Sequence, residues 1–363
     1  MTDQEYMKLA IELARSAAGQ TAPNPMVGAI VVNNNQIIGM GAHLKAGEPH
    51  AEVHAIRMAG EKAKDATIYV TLEPCSHHGK TPPCADLIIA SGIKRVVVAS
   101  TDSNPLVAGR GIIKLREAGI IVETGVLESE ALELNEVFFH FIETGLPYVT
   151  LKSASTLDGK TATVKGESKW ITGEAARQDV HRLRHQHDAI LVGVNTVIQD
   201  NPSLTTRLPE GGKNPIRIVL DSTVRTSLNA RVVTDGEAPT WLITTNKADK
   251  GKIAKMRALG VNMIVLSDSV EIPDLLKALA ERGITSLFVE GGAEVHGSFL
   301  KAGAFQQLIS YFAPKLFGGK QAPSVFGGKG LVHIEDAVSL QIKDVTMIGE
   351  DIRVIAKPRS GVE

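Results

Sequence analysis

Residues 67–84 read TIYVTLEPCSHHGKTPPC, and this stretch decides the fold. Its first six residues are rich in β-branched and aromatic side chains and predict a strand. Pro74 and the Pro82-Pro83 pair break regular structure beside the two cysteines, and Cys84 leads into a segment of helical period at 85–92. A strand that passes through a proline-bounded loop into a helix is half of an α/β unit, and here both ends of the loop carry a thiol. Outward from it the alternation continues, with strands at 28–32, 37–40, 95–99 and 120–123 and helices at 50–60 and 110–119. The expectation is a three-layer α/β domain.

At the N-terminus Thr2 and Glu5 have capping-box spacing, and Tyr6, Ala10, Leu13 and Ala17 fall on one helical face. A further helix at 128–143 is stopped by Thr144-Gly145-Leu146-Pro147, which places a domain boundary between 145 and 146. Beyond it, strands are expected at 148–153, 189–194, 216–221, 240–244, 262–266, 286–290 and 307–312. Helices are expected at 174–187, 252–258, 272–282 and 293–302. The length of 363 residues exceeds what a single hydrophobic core usually serves, and no internal repeat relates the halves. Two unrelated α/β domains, 1–145 and 146–363, follow.

Lys and Arg number 39 against 40 Asp and Glu, and aromatics form 4% of the chain. That balance argues against a surface for nucleic acid, which needs a basic bias and stacking rings. The first residues lack the basic start and apolar run of a signal peptide, and no stretch is apolar for a membrane span. A soluble, cytoplasmic protein is expected. Its two cysteines are too few for a disulfide framework.

Those cysteines have another use. His50-Ala51-Glu52 opens one helix, Pro74-Cys75 follows a strand, and Cys84 opens the next helix, which matches the known His-x-Glu and Pro-Cys signature of zinc deaminases. One imidazole and two thiolates leave a fourth zinc position open, as catalysis requires. Helix N-termini favour thiolate over thiol, and both cysteines are expected at or near one. Glu52, two residues from His50, would move protons and leave the metal alone. Eight residues separate the cysteines where the short signature has two, and His77 and His78 within the insertion are competing but less favoured ligands. Two other readings share the zinc site: a nucleic-acid or nucleoside deaminase fused to an accessory domain, and a structural zinc module with a regulatory nucleotide-binding domain. A structural zinc would normally have four protein ligands, against which Glu52 and the open position speak.

Taken together, Pro23-Asn24-Pro25-x-Val27-Gly28, Gly41-x-His43, His50-Ala51-Glu52, the run from Thr71 to Cys84 and Asp102-x-Asn104-Pro105 resemble the deaminase half of the bifunctional riboflavin biosynthesis deaminase-reductases. The long insertion between the cysteines matches this family. The resemblance implies 2,5-diamino-6-ribosylamino-4(3H)-pyrimidinone 5′-phosphate as substrate, and a substrate site at Asn24, His43, Lys80, Asp102 and Asn104. In the second half, Lys152-Ser153-Ala154-Ser155-x-x-Asp158-Gly159-Lys160, the stretch from Gly193 to Arg207 and Glu290-Gly291-Gly292 resemble the reductase half, with a dihydrofolate-reductase-like fold and NADPH as cofactor. By resemblance Ala154, Trp170, Thr196, Asp200 and the turn from Gly292 to Ser298 lie near the cofactor. Ser168, Arg184, Leu204, Arg207 and Glu290 lie near the substrate, and Lys152 adds charge there. Without the resemblance, Gly291-Gly292-x-x-x-x-Gly297 is only a tight strand-to-helix turn and Asp158-Gly159 only a turn signal. The partners implied are a small phosphorylated pyrimidine and further copies of the chain in a homo-oligomer, with no nucleic acid and no membrane.

Overall fold

In a computed structural model, which describes residues 1–77, 82–102 and 108–359, the chain divides into two compact units, Met1–Gly145 and Leu146–Glu363. His78, Lys80 and Asn104 lie outside the described residues.

The first unit runs α1 (Asp3–Arg15), β1 (Gly28–Asn33), β2 (Gln36–Ala42), α2 (Ala51–Ala59), β3 (Thr67–Leu72), α3 (Cys84–Ala90), β4 (Arg95–Ser100), α4 (Arg110–Glu117), β5 (Ile121–Thr124), α5 (Glu128–Leu134) and α6 (Glu136–Thr144). Its sheet has the order β2-β1-β3-β4-β5, with β1 antiparallel to both neighbours and β3, β4 and β5 parallel. Alternate strand residues feed two cores. Val31, Ile68, Val70, Val96 and Val98 pack with the apolar sides of α2, α3 and α4, while Ile30, Tyr69 and Val97 pack with α1 and α5. Thr2 makes the capping box with Glu5 that its spacing predicts. The helix expected at 128–143 is in fact two, because Asn135 leaves helical geometry and its side-chain amide is spent on the backbone of Met26, accepting from N–H at 2.8 Å and donating to O at 2.9 Å.

The second unit runs β6 (Tyr148–Thr156), α7 (Glu174–Gln186), β7 (Ala189–Gly193), α8 (Val194–Asp200), β8 (Ile216–Leu220), α9 (Arg231–Thr234), β9 (Thr240–Thr245), α10 (Lys250–Ala258), β10 (Asn262–Leu266), α11 (Ile272–Ala280), β11 (Ser286–Gly291), α12 (Ala293–Lys301), β12 (Gln307–Ala313), β13 (Leu340–Ile348) and β14 (Asp351–Pro358). The sheet order is β10-β9-β8-β7-β11-β6-β12-β14-β13, parallel from β10 to β12 and closed by an antiparallel hairpin. Strands β13 and β14 were not expected. Strand β13 alternates apolar with polar residues except at Lys343-Asp344, where a bulge between Ile342 and Asp344 breaks the period, and it leaves much of itself exposed. Ile190, Val192, Val219 and Phe288 face α7 and α8, while Leu151, Leu191, Ile218 and Val289 face α11 and α12. Ligands of parallel sheets gather beyond the carboxyl ends of the strands, and those ends are where the second unit is hollow.

Candidate functional site

In the first unit β2 presents Gly39 and Gly41 to α2. A Cβ on Gly41 would stand 2.4 Å from the Ala51 carbonyl oxygen, and one on Gly39 2.1 Å from that of Ala55, so only glycine lets the helix lie this close to the strand. The close packing brings the start of α2 to the end of β3. His50 caps α2, Cys75 follows β3 and Cys84 begins α3. The His50 Nδ1 lies 3.3 Å from Cys84 Sγ and 3.6 Å from Cys75 Sγ, and among the described residues this trio is the group of side chains placed to hold a metal. Cys75 is not at a helix N-terminus in the chain. Its sulfur reaches one through space, accepting the Cys84 amide N–H at 3.3 Å. The Cys84 thiol and His50 pull Cys75 down to about 4, while Cys84 is pushed up by the same shared proton and by burial. His77 is exposed and lies outside the trio.

Glu52, 3% exposed in the first turn of α2, stands beside the trio, and burial raises its carboxyl pKa. His43 is buried, with its pKa lowered by burial, and its Nε2 lies 3.1 Å from the Asn24 amide nitrogen. Its ring meets that of His50 edge-on at 5.4 Å. Asn24, His43, His50 and Glu52 thus form one contiguous polar wall. Glu73, whose role the sequence leaves unassigned, is 4% exposed. Its carboxylate accepts from the amides of Gly109 and Gly111 at 2.9 Å each, and of Asp102 and Ile112 at 3.4 Å each. It ties the residue before Pro74-Cys75 to the segment that carries Asp102 and to the start of α4.

In the second unit, a cavity of about 430 Å³ opens at the carboxyl ends of β6, β7, β11 and β12. Ala154, Trp170, Thr196, Asp200 and Gly292 line it, as do Lys152, Ser168, Arg184, Leu204, Arg207 and Glu290. Ser298 does not line it: it sits in the second turn of α12 with its hydroxyl donated to the Glu294 carbonyl at 2.8 Å. The glycines of this segment have separate reasons. Gly291 turns with φ +84° directly over the His296 ring, and Gly297 allows the Gly327 backbone to approach, since a Cβ would meet its oxygen at 2.4 Å. Spacing alone could not show that.

Glu290 is the polar centre of the cavity. Arg184 grips it with two bonds, Nε to Oε1 at 2.6 Å and Nη2 to Oε2 at 3.0 Å, and donates its third nitrogen to the Thr205 carbonyl at 3.0 Å. Lys152 Nζ lies 3.9 Å from the same carboxylate. The charges of Arg184 and Lys152 overcome burial and hold Glu290 at about 2, while burial lowers the Lys152 pKa. Trp170 stands exposed at the mouth, with the Arg177 guanidinium 4.7 Å over its ring. His181, which the sequence did not single out, lines the cavity near Arg207. Asp158 does make the turn expected of it and more, accepting from Thr156 Oγ1 at 2.6 Å and from the amides of Gly318 and Phe317 at 2.7 and 3.2 Å.

A deaminase-like α/β domain with a His-Cys-Cys trio, followed by a mixed-sheet α/β domain with an anion-friendly cavity, defines a deaminase joined to a reductase. Residues 1–100 match the cytidine and deoxycytidylate deaminase zinc-binding region, and residues 147–354 match the RibD C-terminal domain. The riboflavin biosynthesis protein RibD of Bacillus amyloliquefaciens is 57% identical over 360 residues, covering 99% of this chain and 97% of the relative. The structure of Acinetobacter baumannii RibD superposes with a TM-score of 0.89 at 41% identity, covering 99% of each chain. A Thermotoga maritima structure described as a diaminohydroxyphosphoribosylaminopyrimidine deaminase/5-amino-6-(5-phosphoribosylamino)uracil reductase gives 0.87 at 40% identity, covering 98% of each chain. The chain belongs to the RibD family of bifunctional deaminase-reductases of riboflavin biosynthesis. Among the described residues no helix is long and apolar enough to cross a membrane.

Proposed function

We propose that the first unit hydrolyses the 2-amino group of 2,5-diamino-6-ribosylamino-4(3H)-pyrimidinone 5′-phosphate, and that the second reduces the ribosyl group of 5-amino-6-(5-phosphoribosylamino)uracil to ribityl with NADPH. The observation that carries the first half is the convergence of His50, Cys75 and Cys84 beside a buried, non-ligating Glu52. This donor set, two sulfurs and one imidazole with room for a fourth ligand, fits catalytic zinc. Zinc, when bound there, supplies a Lewis acid that makes water acidic near neutral pH. Glu52 takes a proton from the attacking water and delivers it toward the ring nitrogen and the departing ammonia. Asn24 offers its amide to the pyrimidinone edge, with His43 holding it. Asp102 belongs to the same site, and Lys80 and Asn104 are assigned by resemblance alone.

In the second unit Ala154, Trp170, Thr196, Asp200 and Gly292 are assigned to NADPH, which when bound supplies a hydride to C1′ of the opened ribosyl group. Ser168, Leu204, Arg207 and the Lys152-Glu290-Arg184 cluster are assigned to the substrate, which they orient and shield from water. The cavity supports this reading because all these side chains border one space. A homo-oligomer is part of the proposal, supported by Ile342, Val345 and Met347 exposed on the edge strand β13. So is a cytoplasmic location, where two unpaired thiols stay reduced. The test is to supply the diaminopyrimidinone phosphate with and without NADPH and identify products by mass. Ammonia release without NADPH, and the ribityl product only with it, is the expected result; reduction before deamination would overturn the order.

A further inference from the structure

Four arginines line the reductase cavity, and the two assigned to the substrate, Arg184 and Arg207, are in different electrostatic situations. All three nitrogens of Arg184 are engaged, by Glu290 and by the Thr205 carbonyl, so its charge is already matched. Among the described residues Arg207, at the exposed mouth of the same cavity, makes no ion pair and its terminal nitrogens make no hydrogen bond. Its Nε–H is donated to His181 Nε2 at 3.4 Å. His181 stands on α7, one turn before Arg184, and faces the same space.

We infer that His181 is a positioning residue that aims Arg207 at the substrate phosphate, by accepting the guanidinium Nε–H and leaving the two terminal nitrogens to the anion. The inference rests on the reading that this cavity takes a phosphorylated substrate. An imidazole accepts a hydrogen bond only through an unprotonated nitrogen. The groups that face His181 enforce that state: burial and the charges of Arg184 and Arg207 lower its pKa to about 4, against smaller opposite effects from Glu290 and the Thr205 backbone. The ring is therefore an acceptor throughout the neutral range. A long arginine held at Nε also has less rotamer freedom to lose when the anion arrives, and its terminal N–H groups meet two phosphate oxygens side by side.

The experiment uses the full chain, the deaminated phosphorylated substrate, its dephosphorylated form, and sulfate as a competing dianion whose charge does not vary across the assay range. His181→Phe removes the acceptor, His181→Gln keeps one, and Arg207→Ala removes the cation. His181→Phe is expected to raise the reductase KM for the phosphorylated substrate and the sulfate inhibition constant by about five- to tenfold, the effect of one lost hydrogen bond. The kcat and the KM for dephosphorylated substrate should stay within twofold. His181→Gln should recover most of the loss, and His181→Phe combined with Arg207→Ala should be no worse than Arg207→Ala alone. Equal damage to both substrates, additivity with Arg207→Ala, or unchanged sulfate inhibition in His181→Phe overturns the inference. If Arg207→Ala itself leaves sulfate inhibition untouched, the phosphate reading of the cavity fails and the inference with it. Should His181→Phe fold poorly, His181→Ala also removes the acceptor and is held to the same outcomes.

Discussion

Arg184→Ala offers a test of the charge arrangement in the second unit that is independent of any substrate. The guanidinium is 11% exposed and makes two bonds to Glu290, itself 11% exposed, so removing it strands a buried carboxylate whose remaining cation, Lys152, stands 3.9 Å away. Breaking a buried pair from one side typically costs about 3–5 kcal/mol. A domain of this size loses about 2–4 °C of Tm per kcal/mol, which gives a drop of roughly 6–20 °C in the melting of the second unit. Arg207→Ala, at the exposed mouth, should shift Tm by no more than about 2 °C, corresponding to about 0.5 kcal/mol. The pH dependence supplies the sign. Glu290 is depressed from 4.5 to about 2 in the folded chain, so its contribution is fully present above pH 4.5 and is lost as pH falls toward 2. Without Arg184 that depression shrinks or reverses, and the gap between wild type and Arg184→Ala should therefore narrow from pH 7 to pH 4. Calorimetry of both proteins at the two pH values measures it. Identical melting of Arg184→Ala and wild type at pH 7 would refute the buried-pair argument, and a gap that widens in acid would refute the assignment to Glu290.

Glu52→Gln keeps the shape of the buried side chain and removes its proton traffic, so ammonia release should fall by about two to four orders of magnitude while zinc measured by atomic absorption stays at the wild-type level; zinc loss would contradict its role. His50→Ala, Cys75→Ser and Cys84→Ser should each release the metal, and full retention by any of them would point to a substitute ligand. Lys80→Ala should raise the deaminase KM by roughly one to two orders of magnitude and leave NADPH oxidation with deaminated substrate unchanged, whereas equal loss in both assays would count against a charge-assisted substrate contact in the deaminase. Glu73→Gln turns one of two carboxylate oxygens, each of which accepts two amides, into a donor facing donors, so the deaminase should lose stability by about 1–3 kcal/mol with the reductase rate intact; unaltered deaminase melting would show that the four contacts carry little.

The alternation of short β-branched runs with helical periods was legible in the sequence because strand and helix place side chains at different intervals, and both sheets follow it. The His50-Cys75-Cys84 trio was legible as a match to a known signature, but the eight residues between the cysteines left His77 and His78 open as competing ligands, and only the tertiary structure brings His50 to both sulfurs with His77 outside the group. The limits lie where a residue's meaning comes from what it meets. Helix 128–143 shows no break in its pattern, and only the backbone of Met26, more than a hundred positions away, draws Asn135 out of helical geometry. Strands β13 and β14 carry a bulge and a mostly exposed face, so the period that marks a strand is blurred until β12 supplies an edge to pair with. In the cavity, Arg184 and Arg207 look alike in the chain. Tertiary structure alone gives one a carboxylate and the other an imidazole, because a charge is free or spent according to partners that sequence distance does not reveal.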